Sequence, residues 1–319
     1  MKSEPRLWPW HLLLAAILVA MAAGLWGATK RMDYTWRWNR VPDYFFYRAE
    51  ELHKIPFDGN VVEIVDNGKT TAVTLHGQEG ERVVLSVATG SVPVRPGEEL
   101  FEGDLVGSTF RWRLGPLMTG LWVTIWLSFT SGIVGMVLGL VVGLCRVAKN
   151  PTLRGLAATY VELIRGTPLL VQIFIFYFFL GTVLNLDRIV AGIGALSVFA
   201  GAYVAEIIRA GIQSIPKGQM EAARSLGMSV PQAMVQVILP QAFKRTLPPL
   251  AGQFISLIKD SSLVSVISIT DLTKSGREVI TSTFATFEIW FTVAAMYLVV
   301  TSVLSQVIQW MERRLSVSD

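Results

Sequence analysis

From Leu114 to Cys145 the sequence carries no charged side chain. A helix of about 20 such residues crosses a hydrocarbon layer of about 30 Å, and it satisfies its own backbone hydrogen bonds where no water can. The rest of the chain follows the same rule. It is 52% hydrophobic and 16% charged, with a mean hydropathy of +0.48, a balance that excludes an ordinary soluble domain. Windows poor in charge predict six transmembrane helices: His11–Ala28, Leu121–Cys145, Gly166–Leu186, Ile189 to about Ile208, Leu247–Thr270 and Ile289–Met311. The fifth is the least regular, since it holds Pro248, Pro249, Lys259 and Asp260.

The first span follows a short basic tail with Lys2 and Arg6. No convincing A-x-A site precedes a soluble mature chain and more spans follow, so it reads as a retained anchor. Basic residues collect in short cytoplasmic loops. Arg146, Lys149 and Arg154 follow the second span, Arg209, Lys217, Arg224, Lys244 and Arg245 lie between the fourth and fifth, and Arg313 and Arg314 follow the sixth. Both termini are therefore expected in the cytoplasm, with residues 29–113 outside it. Lys30, Arg31, Arg37 and Arg40 oppose that orientation, but long loops translocate largely regardless of charge.

The outer region opens on "YTWRWNRVPDYFFYRAEEL", where aromatic and basic residues interleave as they do along a membrane interface or in a packed linker. From Asn60 the period becomes two. Val62 and Ile64, then Thr71, Val73 and Leu75, then Val83, Leu85 and Val87 alternate with other residues, predicting a β-module of four to six strands. Asn67-Gly68 is a signal for a type I′ turn. "NGKTT" imitates the end of a phosphate-binding loop, but Glu63 stands where such a loop needs its first glycine and no helix follows. His11, His53 and His76 lack ligand spacing, so no metal site is expected. Cys145 is the sole cysteine and forms no intrachain disulfide.

Within the spans, Gly132, Gly135, Gly139 and Gly143 share one helix face, where small residues let helices approach closely. Polar side chains at membrane depth are costly and mark candidate pathway residues: Gln172, Ser197, Tyr203, Glu206, Gln253, Lys259 and Asp260. One polar segment interrupts the apolar pattern, "EAARSLGMSVPQAMVQVILPQA" from Glu221 to Ala242. Met220 to Leu226 favours two helical turns, with Glu221 and Arg224 positioned to pair. Gly227 is suited to a left-handed stop, Ser229 or one of its neighbours to an N-cap with Pro231 in the first turn, and Pro240 to a kink or end.

Glu221, Ala222, Ala223, Gly227, Val237, Leu239 and Pro240 follow the spacing of the EAA motif, and the segment resembles the coupling loop of ABC-importer permeases, with valine at position 237 where isoleucine is usual. "YVELIRGTPLLVQIF", "GAYVAEIIRAGIQSIPKGQ", "LPQAFKRTLPPL" and "QFISLIKDSSLVSVI" extend the resemblance to the polar amino-acid (histidine/glutamine-type) branch, over about residues 114–315. The expected fold is then an α-helical integral membrane protein, an anchor (1–28) and outer β-module (29–113) preceding a five-helix permease core (114–315) and a short tail (316–319). The resemblance implies a non-enzymatic subunit of a bacterial-type inner membrane, moving a polar amino acid. It implies a coupling loop at about 209–245 in which Glu221, Ala222, Ala223, Arg224, Gly227, Leu239 and Pro240 contact an ATP-binding ABC subunit. It also implies ATP and Mg on that partner, an extracytoplasmic solute-binding protein, a second permease copy or homologous chain, and no nucleic acid. An ATPase-independent secondary transporter and a membrane-anchored sensor or scaffold are the alternatives.

Overall fold

The computed structural model describes residues 8–32 and 34–316. The N-terminal tail with Lys2 and Arg6, and residues 317–319, lie outside the described residues. The chain forms two compact units, residues 1–40 and 41–319. In the first, helix α1 (Trp8–Arg31) exposes an apolar surface along its length. Beyond it the Trp36 and Trp38 rings stack at 5.7 Å, with Tyr34 edge-on to Trp36.

The second unit begins with six strands: β1 (Phe46–Lys54), β2 (Gly59–Asp66), β3 (Thr70–Gly77), β4 (Arg82–Ala88), β5 (Glu99–Leu100) and β6 (Leu105–Leu114). They form an antiparallel sheet of order β4-β3-β2-β5 and a separate β1-β6 ribbon. Ile55, Val61, Val73, Leu75, Val87 and Val106 fill the space between them. Two expectations are corrected. A bulge between Val61 and Glu63 shifts the register, so Val61 is buried while Val62 is half exposed. In the β2–β3 hairpin only Gly68 takes positive φ (+82°), and Asn67 N–H bonds to Thr70 O. Gly68-Lys69 is thus the central pair, with the glycine-first pattern of a type II′ turn rather than I′. The "NGKTT" stretch is this hairpin, with strands on both sides.

Helix α2 (Pro116–Arg146) follows β6 directly. Five helices among the described residues are long and apolar enough to cross a membrane, and a sixth span results if one bent pair is counted together. That pair is α3 (Pro151–Arg165) and the segment Leu169–Leu184, bent by 104°. The third predicted span is therefore broken at its start. Pro168 has no N–H to give and disfavours helical geometry at Thr167. The chain resumes as α4 (Leu169–Phe174), passes through a π-helical stretch (Ile175–Gly181) and ends in α5 (Thr182–Leu184). Helix α6 (Arg188–Gln213), capped by the Asp187 side chain, runs beside α2. Built on the α2 glycines, a Cβ at position 135 would lie 3.0 Å from Ser197 O, one at 139 2.8 Å from Gly201 O, and one at 143 2.9 Å from Ala205 O. Gly135, Gly139 and Gly143 line the α2–α6 seam, whereas Gly132, expected on the same face, would direct its Cβ at Phe254 and Leu257 instead.

Helix α7 (Lys217–Ser225) and the short α8 (Val230–Ala233) lead through a π-helical turn (Met234–Ile238) into α9 (Leu239–Asp260). Pro240 does not end the chain's helical course. It sits in the first turn of α9, where its missing N–H is not needed. The helical segment that carries the fifth predicted span starts before Leu247, at Val230, and runs to Ile267. Helices α10 (Leu272–Thr283) and α11 (Thr286–Ser316) complete the chain, α10 capped by the buried Asp271 carboxylate, which accepts from the Thr273 and Lys274 amides.

Candidate coupling loop and inner polar cluster

The polar interruption folds as a helix, a sharp stop and a second capped helix. Leu226 ends α7, Gly227 takes φ +85°, its N–H bonds to Arg224 O (3.0 Å), and Met228 N–H bonds to Ala223 O (3.2 Å). This pair of bonds is a Schellman stop, which satisfies carbonyls that a helix end leaves free. Two residues on, Ser229 and Gln232 form a reciprocal capping box that starts α8. The Glu221–Arg224 pairing expected across the turn gives way to a bond from Arg224 Nη1 to Met228 O (2.7 Å), which braces the stop.

One side of α7 is fixed. Ala223 is buried, and Met220 packs with Met234, Ile215, Ile212 and Ile238. Gln241 reaches from α9 to Gln219 (3.3 Å), and Arg245 donates to Ser214 O (2.7 Å) at the end of α6. The other side is open: Glu221, Ala222 and Arg224 are exposed, and Leu226 is 84% exposed. A short rigid helix thus presents two charges and a bare leucine, while its back is tied to α6 and α9. Leu239 is half buried behind it and Pro240 is exposed.

The seven polar span residues do not converge on one place. Gln172 is buried and closes the α3–α4 break, donating to Ile164 O (2.7 Å) and Thr167 Oγ1 (2.8 Å). Ser197 is buried at the α2–α6 seam. Gln253 and Asp260 are half buried along α9, and Lys259 is exposed. Glu206 and Tyr203 do meet. Glu206 binds Arg209 on its own helix, Arg146 at the end of α2 (3.4 Å) and Arg165 at the end of α3 (3.9 Å). The Arg165 guanidinium also lies 5.2 Å from the centre of the Tyr203 ring. The sequence reading took Arg146 and Arg209 for loop charges and passed over Arg165. Their shared partner is distant in the chain, and no local spacing reveals it.

Three arginines around one carboxylate make that carboxylate the keystone of the cluster. Glu206→Gln is expected to destabilise the detergent-extracted chain by about 1–3 kcal/mol, because the guanidinium groups are only partly hydrated without it. A thermal midpoint equal to that of the unsubstituted chain would show that solvent already screens the cluster.

A family of membrane transport proteins matches residues 135–317, more than half the chain: the binding-protein-dependent transport system inner membrane component. The chain belongs to this family and is an ABC transporter permease. It is 44% identical to the probable glutamine ABC transporter permease protein GlnM of Bacillus subtilis over 63% of this chain and 94% of that one. It is 40% identical to the glutamine transport system permease protein GlnP of Escherichia coli K12, over 65% of this chain and 96% of that one. The crystal structure of an amino acid ABC transporter with histidines superposes with a TM-score of 0.59 at 41% identity, covering 62% of this chain and 94% of that one.

Proposed function

We propose that this chain forms one half of the membrane pathway of an ATP-driven importer for polar amino acids. The observation that carries the reading is α7: a braced helix with an exposed Glu221–Leu226 edge, placed between membrane spans of an ABC permease. Such a helix transmits a push without deforming, because its back is packed on α6 and α9. Closure of a separate ATPase pair, which binds ATP and Mg, moves the spans as bodies between outward- and inward-open states. In this reading Glu221, Ala222, Ala223, Arg224, Gly227, Leu239 and Pro240 form and support the docking surface. Relatives named for glutamine and L-cystine support an amino-acid substrate. The termini face the cytoplasm, the β-module lies outside, and a solute-binding protein delivers substrate there to a pair of permease chains. Docking or shielding near that binding protein is the module's role in this scheme. Secondary transport gains no support from the family match.

The test is gentle extraction of the tagged chain from its native membrane. An ATPase in near-equal amount is expected, released when Glu221–Gly227 is altered. Complexes without ATPase, together with amino-acid uptake by the chain alone in vesicles, would overturn the proposal in favour of secondary transport.

A further inference from the structure

The β1-β6 ribbon has two unlike faces. Its register sets Phe46 opposite Leu114, Arg48 opposite Trp112, Glu50 opposite Phe110 and Leu52 opposite Ser108. Opposed residues of an antiparallel pair share a face. Five large apolar side chains therefore line one side, and all remain half exposed or more: Phe46 (50%), Leu52 (54%), Phe110 (58%), Trp112 (67%) and Leu114 (52%). The other side is polar and internally paired. Glu51 holds Arg111 (3.4 Å) and Arg113 (3.1 Å), and His53 bonds to Thr109 (2.8 Å). The ribbon thus gathers five large apolar side chains on one face, with Arg48 and Glu50 among them, and sets Tyr47 with the paired charges on the other.

Its mounting says what the apolar face meets. Leu114 is two residues from Pro116, the first residue of membrane helix α2. The joint is tight: Gly115 N–H bonds to Phe45 O (2.7 Å), and the Tyr44 backbone occupies the space a Cβ at Gly115 would need. The ribbon is thus a rigid extension of α2. The exposed apolar residues of α2 run from Trp122 to Leu144. At 1.5 Å per residue this is about 33 Å, which matches a hydrocarbon core of about 30 Å. Pro116 then stands about 9 Å beyond the core, at the outer edge of a headgroup layer that adds about 5–7 Å on each side. The ribbon leaves α2 at that edge. Arg48, whose guanidinium lies 5.2 Å from the Trp112 ring centre, adds the pairing of aromatic ring and cation suited to lipid phosphates. Glu50, opposite Phe110, is an exposed carboxylate on the same face, two residues from this cation.

We propose that the apolar face of the β1-β6 ribbon lies on the lipid headgroups of the leaflet in which α2 begins. It holds the β-module at a fixed height and tilt over that leaflet. The occupant is lipid, not a second protein surface.

Cys145 is the only cysteine, so a Cys145→Ser chain accepts single labels. An environment-sensitive fluorophore is attached at Leu52→Cys, Phe110→Cys or Arg111→Cys in the full chain. Each labelled chain is reconstituted in vesicles whose lipids carry a nitroxide on the headgroup. Labels at 52 and 110 are expected to shift to the blue and lose emission to the nitroxide, while the label at 111 does neither. Water-like, unquenched emission at both 52 and 110 overturns the proposal. So does a blue shift without quenching, or one that appears only when a second permease or a binding protein is added, because each assigns the face to protein. Two positions on one face keep the result readable if either substitution disturbs folding.

Discussion

Gly227→Val is expected to abolish uptake while leaving membrane insertion intact. A side chain at φ +85° carries a left-handed backbone cost of about 1–2 kcal/mol, which lowers the population of the Schellman stop about 5–30-fold. No atom lies within 4 Å of a Cβ built there, so the penalty comes from the backbone and not from a clash. ATPase co-purification should fall with uptake. Gly227→Asn, which tolerates the left-handed region, should retain most of both. Full transport by the valine variant, with its ATPase still bound, would remove this loop from the coupling scheme.

Gly139→Leu should have the largest effect on the folded molecule itself. Its side chain would enter the α2–α6 seam against Gly201 O and Val204, where backbone atoms have no room to move. Overpacking of this kind costs about 3 kcal/mol at the upper end of its usual range. The expected result is loss of the monodisperse peak in size exclusion after detergent extraction. Gly155→Leu on α3 is the matched control, because nothing lies within 4 Å of a Cβ there. A normal elution profile for Gly139→Leu would mean that the helices part more easily than their packing implies.

What could be read from the sequence was what is local. A run without charge from Leu114 to Cys145 announces a membrane helix on its own, and the four-residue spacing of Gly135, Gly139 and Gly143 announces a close helix contact. The stop at Gly227 and the cap at Ser229 were legible because each is a short-range bargain between one side chain and its neighbouring amides. The bulge at Val61–Glu63 was not, because a register shift shows only once the partner strand is in place. Pro240 misled for a related reason: proline forbids a bond four residues back, yet the preceding π-helical turn and a first-turn position remove the conflict. The Glu206 cluster was the hardest to see. Arg146 and Arg165 come to it from 60 and 41 positions away in sequence, on helices whose crossing no periodicity encodes.

That cluster also bears on how the chain is made. While a nascent chain is being inserted, flanking arginines act as free charges that resist crossing the bilayer. Once the helices assemble, Arg146 and Arg209 turn to Glu206 and are largely withdrawn from water, and Arg165 reaches it from a more exposed position. In the proposed orientation the same groups serve as a signpost during synthesis and as a clasp afterwards, and the clasp closes only when α2, α3 and α6 have arrived together.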